Sequence, residues 1–236
     1  MRRTVDATAH FQPIVDLRSS RVVGFEALAR FDDGVSPLEH LRAAEEVGQR
    51  EDLELRLIEM AVEAASALPV SSFVTLNASG GTMTDPFLAE VLQRAERSWG
   101  LELFEGSAPS ECVAVREQVD RLGGFLLIDD AGTDFSDEDR IRQLRPDIVK
   151  IDGDLFRRSF DDTPACELIR GVVAAAHEVD ARILVEGVED AHQLETIVAR
   201  GAGLAQGYHL GRPAPIEGVP AMLADLQLRL GMDADL

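Results

Sequence analysis

Short apolar runs alternate with stretches of helical periodicity along almost the whole chain. The first run, His10-Phe-Gln-Pro-Ile-Val-Asp-Leu17, is interrupted by Pro13, which cannot donate to a sheet ladder, so it reads as an edge or irregular strand. Ser19-Ser20 makes a turn, and Arg21-Val-Val-Gly-Phe-Glu-Ala-Leu-Ala-Arg30 reads as a second strand with one acid, Glu26, inside it. Residues 36–48 and 51–68 carry helical spacing. Leu38, Leu41, Ala44 and Val47 share a face of the first, and Leu53, Leu57, Met60 and Ala64 a face of the second, which Pro69 stops.

From Ser72 a strand and helix unit repeats. The spacing predicts strands over 72–77, 101–105, 125–130, 147–152, 182–186 and 203–206. Helices are predicted from about Pro86, over 109–122 up to Gly123-Gly124, between the polar segment after Asp130 and Pro146, and over 162–178, 190–200 and about 216–230. Strands alternating with helices argue a parallel α/β sheet. About eight strands in this length point to a (β/α)8 barrel spanning residues 1–236, with no internal boundary or linker. An open doubly wound sheet would want a glycine-rich phosphate turn after its first strand, and none is present; Gly201-Ala-Gly203 precedes an apolar run and lacks a third glycine at the required spacing.

The C-terminal strand ends of such a barrel converge on one site. Here they carry Glu26, Asn77, Glu102 or Glu105, Asp129, Asp130, Lys150, Glu186 and Gln206. Each has an ordinary structural explanation when taken alone. Glu26 could pair with Arg30, Asp129-Asp130 could cap a helix, Asn77 could be turn chemistry before Ser79-Gly80-Gly81, and Lys150 could snorkel. What changes the picture is recurrence. Four or five carboxylates at one barrel mouth cannot all stay charged and unpaired. Hard divalent cations resolve this, and oxygen ligands select Mg²⁺, Mn²⁺ or Ca²⁺ over zinc. Two ions roughly 3.5–4 Å apart would stabilise the attacking and leaving oxygens of an in-line displacement at phosphorus. Lys150 could stabilise or deprotonate the attacking water, and Arg30 could hold a phosphate in its guanidinium fork.

Charge narrows the ligand. The chain has 236 residues and a formal net charge of -20, so it repels DNA, RNA and anionic lipid at long range. A phosphate-bearing ligand must then be small and locally neutralised. Cys112 and Cys166 lack CxxC spacing and read as reduced, structural thiols. The histidines at 10, 40, 177, 192 and 209 form no ligand pair at helical spacing, and no GxSxG is present. The acids from Asp134 to Asp139 read as a solvated loop without EF-hand spacing. With no apolar run of membrane length and no signal segment, the expectation is a cytoplasmic chain.

Seven ordered motifs carry a resemblance. Phe11-Gln-Pro-Ile-Val-Asp16, Gly24-Phe-Glu-Ala-Leu-Ala-Arg30, Asn77, Asp129-Asp-Ala-Gly132, Lys150-Ile-Asp152, Glu186-Gly-Val-Glu189 and Gln206-Gly-Tyr208 resemble the EAL family in order, from about residue 9 to 215. The resemblance implies a (β/α)8-like barrel with one antiparallel strand. It implies a bacterial, metal-dependent phosphodiesterase of second-messenger signalling that opens cyclic di-GMP to linear pGpG with Mg²⁺ or Mn²⁺ in a two-metal site. It implies metal ligation by Glu26, Asn77, Glu102, Asp129, Asp130 and Glu186, with Lys150 near the attacking water and Glu26 and Glu186 in the catalytic set. Contacts to the ligand fall to Gln12, Leu28, Arg30, Asp152 and Gln206. A homodimer and a sensor domain in a longer parent protein also follow from the resemblance. Two departures stand out. Phe104 replaces the threonine of the family's Glu-x-Thr-Glu strand, leaving Glu102 as the chosen ligand and Glu105 as its alternative. In the loop after Asp130, Asp134 replaces a glycine, which removes backbone freedom and adds negative charge. A second function class stays open beside the enzyme: a non-catalytic module that binds cyclic di-GMP or a protein partner.

Overall fold

The computed structural model describes residues 6–103, 109–131, 137–159 and 162–231. The chain opens with an antiparallel hairpin of β1 (Ala7–Asp16) and β2 (Arg21–Phe31). Then follow α1 (Pro37–Glu46), α2 (Arg50–Ala65), β3 (Phe73–Ala78), α3 (Gly80–Thr84), α4 (Pro86–Leu92), β4 (Trp99–Leu103), α5 (Pro109–Leu122) and β5 (Phe125–Ala131). The second half runs α6 (Asp137–Leu144), β6 (Ile148–Ile151), α7 (Gly153–Arg158), α8 (Thr163–Glu178), β7 (Arg182–Val185), α9 (Ala191–Ala199), β8 (Leu204–Ala205), β9 (Ala214–Pro215) and α10 (Val219–Leu230). Strands β2 to β8 pair in parallel and in chain order, and β8 closes on β1, giving an eight-stranded barrel. β1 is its one antiparallel strand, and β9 adds to β1 outside the ring.

Of the two expectations for Pro13, edge or irregular strand, the structure shows the second: β1 lies inside the sheet, with a register shift between Ile14 and Val15. β1 pairs with β2 along its whole length. On its other side it meets β9 at His10 and Phe11 and β8 at Val15 and Asp16. Residues 12 to 14 fall in the gap between those two short pairings, where a missing N–H costs no ladder bond.

Period-two alternation then sorts the strands into an outer and an inner face. Phe11, Phe25, Val74, Leu76, Leu101, Leu126, Ile128, Val149, Ile151 and Val185 face the helices in the larger core. Ile14, Leu127, Ile148, Leu184 and Leu204 form a separate buried plug inside the ring, closed by Val23, Phe73 and Phe125. Phe73 and Phe125 meet edge to face at 5.1 Å. Room for them exists because their neighbours are glycines. A Cβ on Gly24 would lie 2.3 Å from the Phe73 ring, and one on Gly100 would lie 2.6 Å from the Phe125 ring.

The helices differ from expectation in which face they bury. α2 buries Leu55, Ile58, Ala61, Val62 and Ala65 against the barrel. Leu53, Leu57, Met60 and Ala64 are half-buried; Met60 and Ala64 pack against the core from its side, and Leu57 and Met60 also wall an apolar cavity shared with Pro37, Leu38 and Leu41. α1 buries no residue fully. α3, α7 and β9 are too short to show a period in the sequence. α3 and α7 are set by caps: Ser79 accepts from the Thr82 N–H and Asp152 from the Leu155 N–H.

The glycine pockets make the inner plug testable. Gly100→Ala should destabilise the protein by about 1–3 kcal/mol through overpacking against Phe125. In urea unfolding, Gly100→Ala combined with Phe125→Leu should recover part of that loss, and an unchanged midpoint for the single variant would refute the packing account.

Candidate functional site

The inner face continues toward the C-terminal strand ends with the same parity as the apolar plug. Above Ile148 comes Lys150, above Leu127 comes Asp129, above Leu184 comes Glu186, and above Leu204 comes Gln206. Gly100 is followed by Glu102, Gly24 by Glu26, and Ile14 faces the same interior as Gln12 in the opposite direction. The polar constellation is thus the top of the barrel filling.

Lys150 sits at its centre, 1% exposed. Its Nζ lies 2.5 Å from Glu102 Oε2, 2.9 Å from Asp129 Oδ1, 2.9 Å from Glu186 Oε1 and 3.5 Å from Glu26 Oε1. It does not snorkel, and Glu26 pairs here rather than with Arg30. Burial works against the ammonium, yet the four carboxylates outweigh it and hold its pKa well above the ordinary lysine value. The acids show the opposite imbalance. Burial, reinforced by Glu26 and by Asp129, pushes Glu102 well up despite Lys150. Burial likewise lifts Glu186 from 4.5 to about 8, with Asp129 and Glu26 adding to it against Lys150.

Amides brace the outer side of Glu26. Gln206 Nε2 donates to Glu26 Oε2 at 2.6 Å and to Gln12 Oε1 at 2.9 Å. Gln12 Nε2 donates to the Gly211 carbonyl at 3.0 Å, and Asn77 Nδ2 donates to Glu26 Oε1 at 3.3 Å. Gly207 lets this corner close, since a Cβ there would lie 2.1 Å from Val188 N.

The donor set fits a hard divalent cation. Among the described residues no three His, Cys, Asp or Glu side chains stand as a preformed metal cage; the ammonium fills the space between the acids. Still, four carboxylates face one cation, and Glu102 Oε1 and Gln206 Oε1 are buried with no hydrogen-bond partner. Oxygen donors with spare lone pairs and excess negative charge are what Mg²⁺, Mn²⁺ or Ca²⁺ takes. Glu26, Asn77, Glu102, Asp129 and Glu186 would supply them. The side chain of Asp130 lies outside the described part of the structure, as do Phe104, Glu105 and Asp134.

A polar cavity of about 360 Å³ opens over this cluster, lined by Gln12, Glu26, Leu28, Asp152, Glu186 and Gln206. Six of the expected site residues therefore share one space. Arg30 does not join them: its Nη1 donates to the Ala29 carbonyl at 2.8 Å, and it lines the apolar cavity beside α1 and α2. Leu28 borders both spaces. Asp152 is spent partly on capping α7, accepting from the Leu155 N–H at 2.8 Å. Sequence reasoning missed Arg157, a cation lining the polar cavity, whose Nη1 donates to the Gly187 carbonyl at 3.0 Å. It sits on α7, where no period could flag it. Tyr208 also lines the cavity, 52% exposed, with the Arg212 guanidinium 4.1 Å from its ring centre.

The raised carboxyl groups predict a pH dependence of metal-free stability. Between pH 4.5 and about 8 the folded protein keeps a proton on Glu186 that the unfolded chain has released. Stability is therefore present at the low end of that window and lost as pH rises through it, and Glu102 acts in the same sense. Urea midpoints in EDTA should fall from about pH 5 to about pH 8. A profile that rises with pH across this window would contradict the assignment.

Comparison with known proteins places this geometry. Residues 3–213 match the EAL domain profile. The uncharacterized protein y4lL of Sinorhizobium fredii is 30% identical over 90% of this chain and 27% of its own length. The probable cyclic di-GMP phosphodiesterase PdeI of Escherichia coli is 26% identical over 87% of this chain and 28% of its own. The chain thus spans under a third of the length of these curated relatives. Among solved structures, the PaMucR phosphodiesterase in complex with c-di-GMP aligns with a TM-score of 0.78 at 25% identity, covering 91% of this chain and 99% of that one. A manganese/cy-diGMP complex of Klebsiella pneumoniae BlrP1 aligns with the same TM-score and identity, covering 89% and 57%. By the extent of the profile match and by its closed barrel with one reversed strand, the chain belongs to the EAL domain family.

Proposed function

We propose that this chain is a divalent-metal-dependent phosphodiesterase that opens cyclic di-GMP to linear pGpG. The observation that carries the reading is the set of four inner-face carboxylates gathered around one buried ammonium, beneath an open polar cavity. The names of the aligned phosphodiesterases support it.

When bound, Mg²⁺ or Mn²⁺ would lower the pKa of the attacking water and offset the charge of the phosphodiester. Glu26, Asn77, Glu102, Asp129 and Glu186 would hold that charge at the barrel mouth, with Asp130 beside them in sequence. Water oxygen attacks phosphorus, the P–O3′ bond breaks, and the departing O3′ takes a proton, which leaves the phosphate on the 5′ side. Lys150, whose Nζ lies within 3.5 Å of four of these carboxylates, would orient the water and stabilise charge building on the phosphoryl oxygens. Gln206 and Gln12 keep Glu26 aimed inward. Arg157, Asp152, Leu28 and Tyr208 border the space left for the nucleotide, while Arg30 lines the neighbouring apolar cavity.

A second reading, a non-catalytic module that binds cyclic di-GMP or a protein partner, is favoured by Asp134, which stands where the family resemblance implies glycine. A homodimer, a single barrel domain over residues 1–236, cytoplasmic placement and an attached sensor domain in a longer parent belong to the proposal. No helix among the described residues is long and apolar enough to cross a membrane.

Incubation with cyclic di-GMP followed by nucleotide separation tests the proposal. Linear pGpG should form with Mg²⁺ or Mn²⁺ and not in EDTA, and Ca²⁺ should inhibit because its longer, looser coordination spoils a tight two-ion geometry. Full turnover in EDTA would remove the metal mechanism; binding without turnover would favour the second reading.

Lys150→Met should lower kcat by about 10²–10³, the range for a preorganised charge acting on the transition state. Affinity for cyclic di-GMP should change little, since such an interaction leaves ground-state binding alone. Affinity falling in step with rate would instead make Lys150 a phosphate contact.

A further inference from the structure

Asn77 is loosely secured. Its side chain is exposed and its one hydrogen bond into the site, to Glu26 Oε1, is 3.3 Å long. Its backbone is paired on one side only. β4 pairs with β3 through Asn77↔Glu102 and Ala78↔Leu103, but β2 stops at Ala27↔Leu76. Where Asn77 points therefore depends on what holds the turn that follows it.

That holder is Glu54, on the far side of the barrel wall from the site. Glu54 is a 4% exposed acid on α2. Its Oε2 accepts three hydrogen bonds, from Ser79 N at 2.8 Å, Ser79 Oγ at 2.7 Å and Thr82 Oγ1 at 2.6 Å. Its Oε1 accepts from Arg50 Nε at 2.8 Å, and Arg50 reaches on to Glu45 at 2.9 Å. Ser79 is two residues beyond Asn77 and caps α3. An acid this buried is costly unless its lone pairs are used, and here three of four donors come from the one turn. The open apolar cavity beside Glu54, Ser79 and Asn77 leaves the turn without close packing on that flank.

We infer that Glu54 is a positioning residue: by hydrogen-bonding Ser79 and Thr82 it fixes the end of β3, and through it the carboxamide of Asn77. The inference rests on the reading of Asn77 as a metal ligand. Groups that orient a ligand without touching the ion commonly matter about 10–100-fold for metal affinity.

The experiment is direct Mn²⁺ binding to the full chain, read by the electron spin resonance of free Mn²⁺, with thermal melts alongside. Glu54→Leu should weaken Mn²⁺ binding about tenfold. Glu54→Gln can put its carbonyl oxygen where Oε2 stood, keep the Ser79 and Thr82 donors and give up only Arg50, so its affinity should stay within about twofold of the parent. Thr82→Val, nearly isosteric at a fully buried position, should cost about threefold and serves if Glu54→Leu does not fold. Asn77→Ala is the control. If Asn77→Ala binds Mn²⁺ as the parent does, the ligand reading fails and the inference with it. If Asn77→Ala weakens binding while Glu54→Leu and Thr82→Val lower only the melting temperature, the ligand reading stands and Glu54 is merely structural. If Glu54→Gln binds as weakly as Glu54→Leu, Glu54 acts through charge and not through its hydrogen bonds, which also overturns the inference.

Discussion

Lys150 and the carboxylates around it set the terms for everything else at the barrel mouth. One buried ammonium meets Glu26, Glu102, Asp129 and Glu186 within 3.5 Å. The charges do not balance, and the structure shows where the imbalance goes: Lys150 is held protonated, while Glu102 and Glu186 are driven toward their neutral forms. A buried cluster in that condition is a poor source of stability, since the desolvation of each ion offsets much of the attraction. Its worth lies in what it can accept, namely further positive charge.

The cluster can exist because the barrel below it is finished without it. Inner-face positions lower in the ring are apolar, from Ile14 to Leu204, and two phenylalanines fill the space that Gly24 and Gly100 vacate. This plug carries the packing, so the layer above is free to be polar. Because residues alternate between faces, placing Leu127 and Ile148 in the plug forces Asp129 and Lys150 inward one step later. Packing below and chemistry above follow from one register.

Support for the cluster is uneven. Glu26 is braced by Gln206, which is itself tied to Gln12 and so to the closing strand β1. Lys150 and Glu102 sit on strands paired on both sides. Asn77 has half a ladder, and its bracing arrives from outside the ring through a helix that never touches the site. A barrel mouth assembled from independent strand ends needs such outside ties wherever the pairing between two strands stops before the strands do.

Much of this was legible in the residues. The alternation of apolar runs and helical periods determined the barrel, because a parallel strand buried on both faces leaves a short continuous apolar signal that little else imitates. The acids and the lysine at strand ends marked Glu26, Glu102, Asp129, Lys150 and Glu186, because period two and the barrel's polarity leave them one direction to face. What the sequence could not decide was anything fixed by a neighbour distant in the chain. Pro13 marks an edge or an irregular strand equally well in the sequence, and only the gap that β8 and β9 leave opposite it makes it the irregular one. Arg30 was expected to contact the ligand or pair with Glu26, yet its guanidinium bonds the Ala29 carbonyl and lines the other cavity. The apolar stripe of Leu53, Leu57 and Met60 was real, but α2 has two apolar sides and only docking selected which one lies on the barrel. Glu54 and Arg157 gave no local signal, since a charged residue on a helix is ordinarily a solvated one. Only the tertiary structure decided their roles, by bringing Ser79 and Thr82 to the one and Gly187 to the other across 25 to 30 residues of chain.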